Sequence, residues 1–227
     1  MFLGHFGVAL AAKRFAPRTS LGTLVLAAQF IDLLWPTLLL LGLERVRIEP
    51  GITRVVPLDF VHYPISHSLL AVVGWALLFG AAHLLRRRDA RAAVVLALAV
   101  LSHWLLDAVA HRPDLPLYPG GAQLVGLGLW SSLGATLVVE FALFGLGLAL
   151  YLRATRADRP RRWPLWAFVA FLVVAYLASV SGDPPPDVTA LAWVGQSQWL
   201  LVAWAWWVDR QPSPAAAAAP IRPRSRT

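Results

Sequence analysis

Six apolar runs, each about 20 residues long and divided by short polar loops, set the pattern of this chain. They cover residues 20–42, 66–85, 90–111, 131–152, 163–181 and 187–208, and a shorter apolar segment covers 2–12. A helix needs about 20 apolar residues to cross the hydrocarbon core. The pattern predicts an all-α polytopic transmembrane bundle of six long spans plus a short N-terminal helix, inserted or re-entrant. The runs leave no room for a soluble domain, so residues 1–210 are expected to form one transmembrane domain. From Gln211 the chain reads Gln-Pro-Ser-Pro, five alanines, then Pro-Ile-Arg-Pro-Arg-Ser-Arg-Thr, which predicts a disordered basic tail over 211–227.

Charge gives the runs an orientation. Lys13, Arg14 and Arg18 follow the first segment; Arg86, Arg87, Arg88 and Arg91 form a second cluster. Arg153, Arg156, Arg159, Arg161 and Arg162 form a third, and Arg210, Arg222, Arg224 and Arg226 lie in the tail. These sixteen of the 20 basic residues occupy alternate loops, expected at the cytoplasmic face together with the C-terminus. The other loops hold only Arg45, Arg47, Arg54 and Arg112, beside Glu44, Glu49, Asp59, Asp114, Asp183 and Asp187. Trp130, Trp163, Trp166, Trp206 and Trp207 fall near run ends, as an interfacial belt requires.

Composition narrows the function classes. Hydrophobic residues make up 58% of the chain and charged residues 14%, against about 25% charged in soluble domains. The net charge of +8 is confined to the loop clusters, with no basic groove of stacking aromatics, so nucleic acid is excluded as a partner. Membrane lipid is the expected one. Cysteine is absent, which excludes a disulfide framework, a thiolate metal site and a cysteine nucleophile. The N-terminal Met1-Phe2-Leu3-Gly4-His5-Phe6 lacks a basic lead and a small-residue cleavage site, so it is expected to be retained.

Against this apolar background the ionisable residues inside the runs stand out, since each costs about 2.5–3.5 kcal/mol at the membrane centre. His103, Asp107 and His111 are spaced four residues apart, which places them on one helical face. Two imidazoles and a carboxylate are the donor types that suit zinc or a similar divalent ion. At 1.5 Å per residue, Asp32 lies about 15 Å below the outer surface, His103 about 12 Å, and Glu140 and Gln196 about 13 Å. Asp107 lies about 6 Å down, and His67 opens its run at the outer boundary. If segment 2–12 inserts, His5 reaches within about 10 Å of the outer surface of a 30 Å core. Polar groups from separate runs thus share the outer half of the membrane. Each also has a plainer reading. His103 and Asp107 suit an interhelical hydrogen bond, Ser66 and His67 a capping cluster, and His111 a boundary position. Glu140 is either a general base, a carboxylate ligand or a structural hydrogen-bond partner. His62 reads as a loop residue, His83 as interfacial, and Gln29, Gln196 and Gln198 as interhelical glue. Pro36 is a candidate bend near Asp32.

No nucleotide loop, G-x-S-x-G elbow or H-E-x-x-H motif occurs. What does occur, in order, is Gly4-His5, an aspartate in the first long run, Ser66-His67-Ser68, and His103-x-x-x-Asp107. Over roughly residues 1–115 this order resembles the bacterial inner-membrane proteins grouped as membrane-bound metal-dependent hydrolases, the YdjM-like group. That group carries an N-terminal His, a Pro-Asp-x-Asp segment, a His-Arg-Gly-x-Thr-His-Ser motif and a His-x-x-x-Asp helix. The resemblance implies a bacterial inner-membrane protein with His5, Asp32, His67, His103 and Asp107 as metal residues. Two departures are plain. The aspartate segment here is Ile31-Asp32-Leu33-Leu34, with one carboxylate and no preceding proline, and the His-Arg-Gly motif is replaced by His62-Tyr63-Pro64-Ile65-Ser66-His67.

The expectation is an integral-membrane metal-dependent hydrolase. His103, Asp107, His67 and Asp32 would hold a zinc-like ion, His5 or His111 would complete the set, and Glu140 or Asp107 would serve as base. A site in the outer leaflet points to a lipid or lipid-linked substrate, such as a phosphoester. The rival readings are a proton- or cation-coupled transporter using the same Asp and His residues, and a scaffold whose polar groups fix helix packing.

Overall fold

A computed structural model of the chain describes residues 1–156 and 162–209. The basic tail expected over 211–227, and Arg159, Arg161 and Arg210 of the basic clusters, lie outside the described residues. Helix α1 (Leu3–Ala12) leads into α2 (Leu21–Ala28) and α3 (Phe30–Leu40). An antiparallel hairpin follows, β1 (Arg45–Ile48) with β2 (Leu58–His62), in a register that sets Val46 opposite Phe60. Next come α4 (Leu69–Arg87) and α5 (Ala90–Ala110), then a short ladder of β3 (Leu115–Pro116) with β4 (Leu124–Val125). A 3₁₀ turn, Leu129–Ser131, precedes α6 (Leu133–Ala154), α7 (Trp163–Ser181), α8 (Val188–Gln196) and α9 (Gln198–Asp209). Side chains of Ser20, Ser68, Asp89, Ser132 and Asp187 accept N–H groups at the starts of α2, α4, α5, α6 and α8, satisfying donors left over in each first turn.

The expectation of six long spans needs correction. Among the described residues four helices, α4, α5, α6 and α7, are long and apolar enough to cross a membrane, and α2 with α3 makes a fifth only as one bent span. The run 20–42 breaks at Gln29, where the two helices meet at 56°. Pro36, seven residues further on, sits inside α3 and is not the site of this bend. The run 187–208 breaks at Ser197 into helices of 9 and 12 residues. There the Ser197 N–H is shared between the Trp193 and Val194 carbonyls, and its hydroxyl donates back to Val194 at 2.6 Å. Such back-bonding from a serine competes with the helical ladder.

The N-terminal helix is an interior element. Leu3, His5, Phe6, Ala9 and Leu10 are all at most 1% exposed. It packs most extensively on α6, and also on α2 and α5. The α1–α6 crossing depends on two glycines. A Cβ on Gly147 would lie 2.1 Å from the Gly7 carbonyl oxygen, and one on Gly7 would lie 2.6 Å from the Leu143 carbonyl oxygen. Small residues let helix backbones approach this closely inside a membrane, where van der Waals packing drives association. Glu140 of α6 then fixes the end of α1, accepting the N–H groups of Phe2 at 3.0 Å and Gly4 at 2.7 Å. At the opposite end Lys13 pairs with Asp209 at 2.8 Å, and Tyr151 donates to the same carboxylate at 3.1 Å. This clasp ties α9 to α1 and α6.

Candidate metal centre

The 3.6-residue repeat of α5 brings His103 and Asp107 onto one buried face, His103 at 0% and Asp107 at 2% exposure. Around them gather His5 from α1, Asp32 from α3, and His67 from the turn before α4. His103 Nε2 lies 3.1 Å from Asp107 Oδ2 and 3.5 Å from Asp32 Oδ1. His67 Nε2 lies 3.8 Å from each of those two carboxylate oxygens. His5 Nε2 lies 3.2 Å from Asp107 Oδ1, and its ring stacks on that of His103 at 3.7 Å and 7°. The Met1 amino group pairs with Asp107 Oδ1 as well.

The far nitrogens decide what the near ones can do. His103 Nδ1 lies 2.9 Å from the Ala28 carbonyl oxygen. A carbonyl only accepts, so Nδ1 carries the proton and neutral His103 presents a lone pair at Nε2. His67 Nδ1 lies 2.7 Å from Ser66 Oγ, and Ser66 Oγ donates to Glu44 Oε2 at 2.5 Å. With its own proton directed to Glu44, the Ser66 oxygen accepts from His67 Nδ1–H. His67 too is left with a lone pair at Nε2. Two imidazole nitrogens thus face two carboxylates; the Met1 ammonium offsets charge on Asp107 Oδ1, and a cation placed among Asp32, His67 and His103 would offset the rest. His103 Nε2 and His5 Nδ1 are buried nitrogens without a hydrogen-bond partner among the described residues.

The donor set fits a divalent ion. Two donors each about 2.1 Å from one zinc ion lie at most about 4.2 Å apart, and the four His–carboxylate separations run from 3.1 to 3.8 Å. Two groups of three could hold a metal: His5, His103 and Asp107, and Asp32, His67 and His103. Both require His103 Nε2. The two groups therefore overlap at His103, whose single Nε2 lone pair can serve one ion. Asp32 gives the site its opening, since its side chain is 24% exposed whereas those of His5, His67, His103 and Asp107 are at most 3% exposed.

Other sequence candidates fall outside this cluster. Helix α5 ends at Ala110, and His111 has extended backbone at ψ 150°. Its ring leaves the shared face and pairs with Asp114 at 2.9 Å. It sits in an aromatic wall, 4.3 Å from Trp130, 4.7 Å from Phe60 and 6.4 Å from His67 between ring centres. Asp114 also accepts from Tyr63 at 3.3 Å and Arg112 at 3.0 Å, and Arg112 pairs in turn with Asp59. Burial and the Asp114 charge push the Tyr63 phenol up, which keeps its proton in place. Glu140 makes no hydrogen bond to the cluster; its oxygens face the backbone of α1. Gln196 donates to Thr37 at 2.7 Å, linking α8 to α3. The Gln29 amide is buried without a partner among the described residues, so it links no helices there. Ser68, not Ser66, caps α4.

One residue escaped the sequence reading. Glu44, 1% exposed, accepts the N–H groups of Ile65 and Ser66 at 2.8 Å each as well as the Ser66 hydroxyl. Burial pushes its carboxyl up from the ordinary range, and these hydrogen bonds oppose that shift. Its position in a loop just after an apolar run gave no periodic signal. Only the neighbouring Ser66-His67 pair hinted at a supporting group, because ligand histidines commonly donate their other N–H to an outer partner.

The profile of the YdjM inner membrane protein family matches residues 1–183, well beyond the 1–115 over which the motif order is visible. None of the curated proteins and none of the solved structures compared matches the chain. The chain belongs to the YdjM inner membrane protein family.

Proposed function

We propose that this YdjM family member is an integral-membrane metal-dependent hydrolase with one divalent, zinc-like ion held by Asp32, His67, His103 and Asp107. The supporting observation is the convergence of two fixed imidazole lone pairs on two carboxylates in a buried site. Such an ion supplies Lewis acidity and brings water into nucleophilic form near neutral pH. The chain's own groups do the rest. Asp32, at the opening, is where water and substrate arrive. Asp107 divides its oxygens, Oδ2 toward His103 and His67 and Oδ1 toward His5. His5 therefore donates at Nε2 and keeps a lone pair at Nδ1, where a proton can be taken up without displacing a ligand. Phe60, Trp130 and Tyr63 wall the outer side and limit bulk water. Glu140 holds α1, and so His5, in register.

The basic loops orient the chain with the ends of α4, α6 and α9 in the cytoplasm and the β1–β2 hairpin outside. A site in the outer half of the bilayer suits a lipid or lipid-linked ester, including a phosphoester. Transport is the weaker reading, because the polar groups do not continue across the membrane. Residues 6–12, 21–28 and 92–101 of α1, α2 and α5 contain no ionisable side chain.

Metal analysis of the purified protein tests the proposal, with about one zinc or manganese per chain expected and loss of that metal in His103→Ala. Release of p-nitrophenol from p-nitrophenyl phosphate or an acyl ester should depend on the same ion. Metal-free wild-type protein, together with pH-driven cation uptake into vesicles abolished by Asp32→Asn, would transfer the assignment to a transporter.

A further inference from the structure

A cavity of about 760 Å³ runs between α1 and α5, below the candidate metal centre and lined by none of its residues. Val8 and Ala11 line one wall, Val94 and Leu98 the other, and Phe15 and Arg91 stand at one end. Val94, Leu98 and Phe15 are 59%, 58% and 53% exposed, so the groove is open along one side. A second cavity, of about 310 Å³, continues from Phe15 and Arg91 and adds Arg18 and Asp89. The groove is thus apolar along its length and charged at one end only.

The charge at that end is positive. Asp89 caps α5, accepting the Ala92 N–H at 3.0 Å. Among the described residues, Lys13, Arg47 and Arg112 make the ion pairs of the basic side chains, while Arg18 and Arg91 make none. Both belong to the basic clusters assigned to the cytoplasmic face. Ala90 and Ser102 both line the groove; twelve residues of helix span about 18 Å. Half of a 30 Å hydrocarbon core is about 15 Å. The groove therefore reaches from the charged interface to just past the midplane, the path of one extended acyl chain.

We propose that this groove binds one acyl chain of an anionic phospholipid from the cytoplasmic leaflet, with the phosphate between Arg18 and Arg91. Two unpaired guanidiniums at the mouth of an apolar slot match an anionic headgroup on an apolar tail. The far end of the slot, at Val8 and Ser102, lies three residues along α1 from His5 and one residue along α5 from His103. A bound tail seals the floor of the metal centre and braces α1 against α5.

Native mass spectrometry of the full-length protein in detergent tests this, with dioleoylphosphatidylglycerol and dioleoylphosphatidylcholine as probes. One phosphatidylglycerol should be retained per chain in preference to phosphatidylcholine. Arg18→Ala and Arg91→Ala should each weaken phosphatidylglycerol retention about fivefold, and Arg91→Lys should restore most of it. Val94→Trp, which fills the slot, should remove the lipid; the exposed arginine variants keep the test open if this variant fails to fold. Equal retention of both lipids by the wild type would overturn the proposal. So would unchanged phosphatidylglycerol retention in Arg91→Ala and Val94→Trp, or a dimer of the chain that Val94→Trp dissociates, since a second copy would then occupy the groove.

Discussion

Replacing Glu44 by Gln should weaken metal binding while leaving the fold in place. In the native site Glu44 Oε1 takes the N–H groups of Ile65 and Ser66, and Oε2 takes the Ser66 proton. A glutamine carbonyl can keep both backbone donors. Its amide nitrogen then faces Ser66 Oγ and can only donate. Ser66 accepts from it, and its own proton, no longer held by a carboxylate, is expected to turn to His67 Nδ1. The His67 proton moves to Nε2, the nitrogen that faces Asp32 and Asp107, and blocks the lone pair there. Outer partners of this kind are worth about 10–100-fold in metal affinity. Glu44→Ala is less informative, because it strands three buried donors at about 1–3 kcal/mol each and mixes folding with binding. The assay is titration of zinc or manganese into metal-stripped protein in detergent, with the metal-free thermal midpoint as the control for folding. Glu44 acts on the ion only through Ser66, so Glu44→Gln/Ser66→Ala should bind no more weakly than Ser66→Ala alone. Wild-type affinity in Glu44→Gln, or additive losses in the double variant, would refute the relay.

Three further changes separate architecture from chemistry. Gly147→Val drives a side chain into the Gly7 carbonyl and should lower the thermal midpoint through an overpacking cost of about 1–3 kcal/mol; metal affinity should fall with it, because His5 travels with α1. Glu140→Ala removes two hydrogen bonds from the start of α1 and should destabilise by about 0.5–2 kcal/mol, with Glu140→Gln recovering part of the loss in a denaturation series. Gln196→Ala breaks one exposed hydrogen bond to Thr37, worth about 1 kcal/mol at most, and should leave metal titrations unchanged.

The pattern of the chain exposes some of this site and hides the rest for physical reasons. His103 and Asp107 are legible because four residues bring them round to one face of a helix. His111 has the same spacing, but the helix ends before it. The loop beyond α5 takes over the last turn, with Leu127 donating to the Ala108 carbonyl and Gly128 to that of His111. A four-residue interval counts only while the helix lasts. Glu44 carries no such interval at all, because its partner Ser66 stands 22 residues away across a hairpin. The six apolar runs give the right composition and more long helices than the described residues show, since a single polar residue such as Gln29 or Ser197 barely lowers the mean hydropathy of the run it breaks.

The break at Gln29 matters most for the chemistry. An unbroken helix through residues 21–40 would direct the Asp32 N–H to the Ala28 carbonyl, four residues back. The bend withdraws that carbonyl from the ladder, and it accepts from His103 Nδ1 instead. The same bend swings Asp32 to within 3.5 Å of His103 Nε2. One interruption in the first long run therefore sets both the tautomer of the central histidine and the carboxylate that faces it. Straightening the helix would take Asp32 out of the cluster and deprive His103 Nδ1 of its acceptor in a single step.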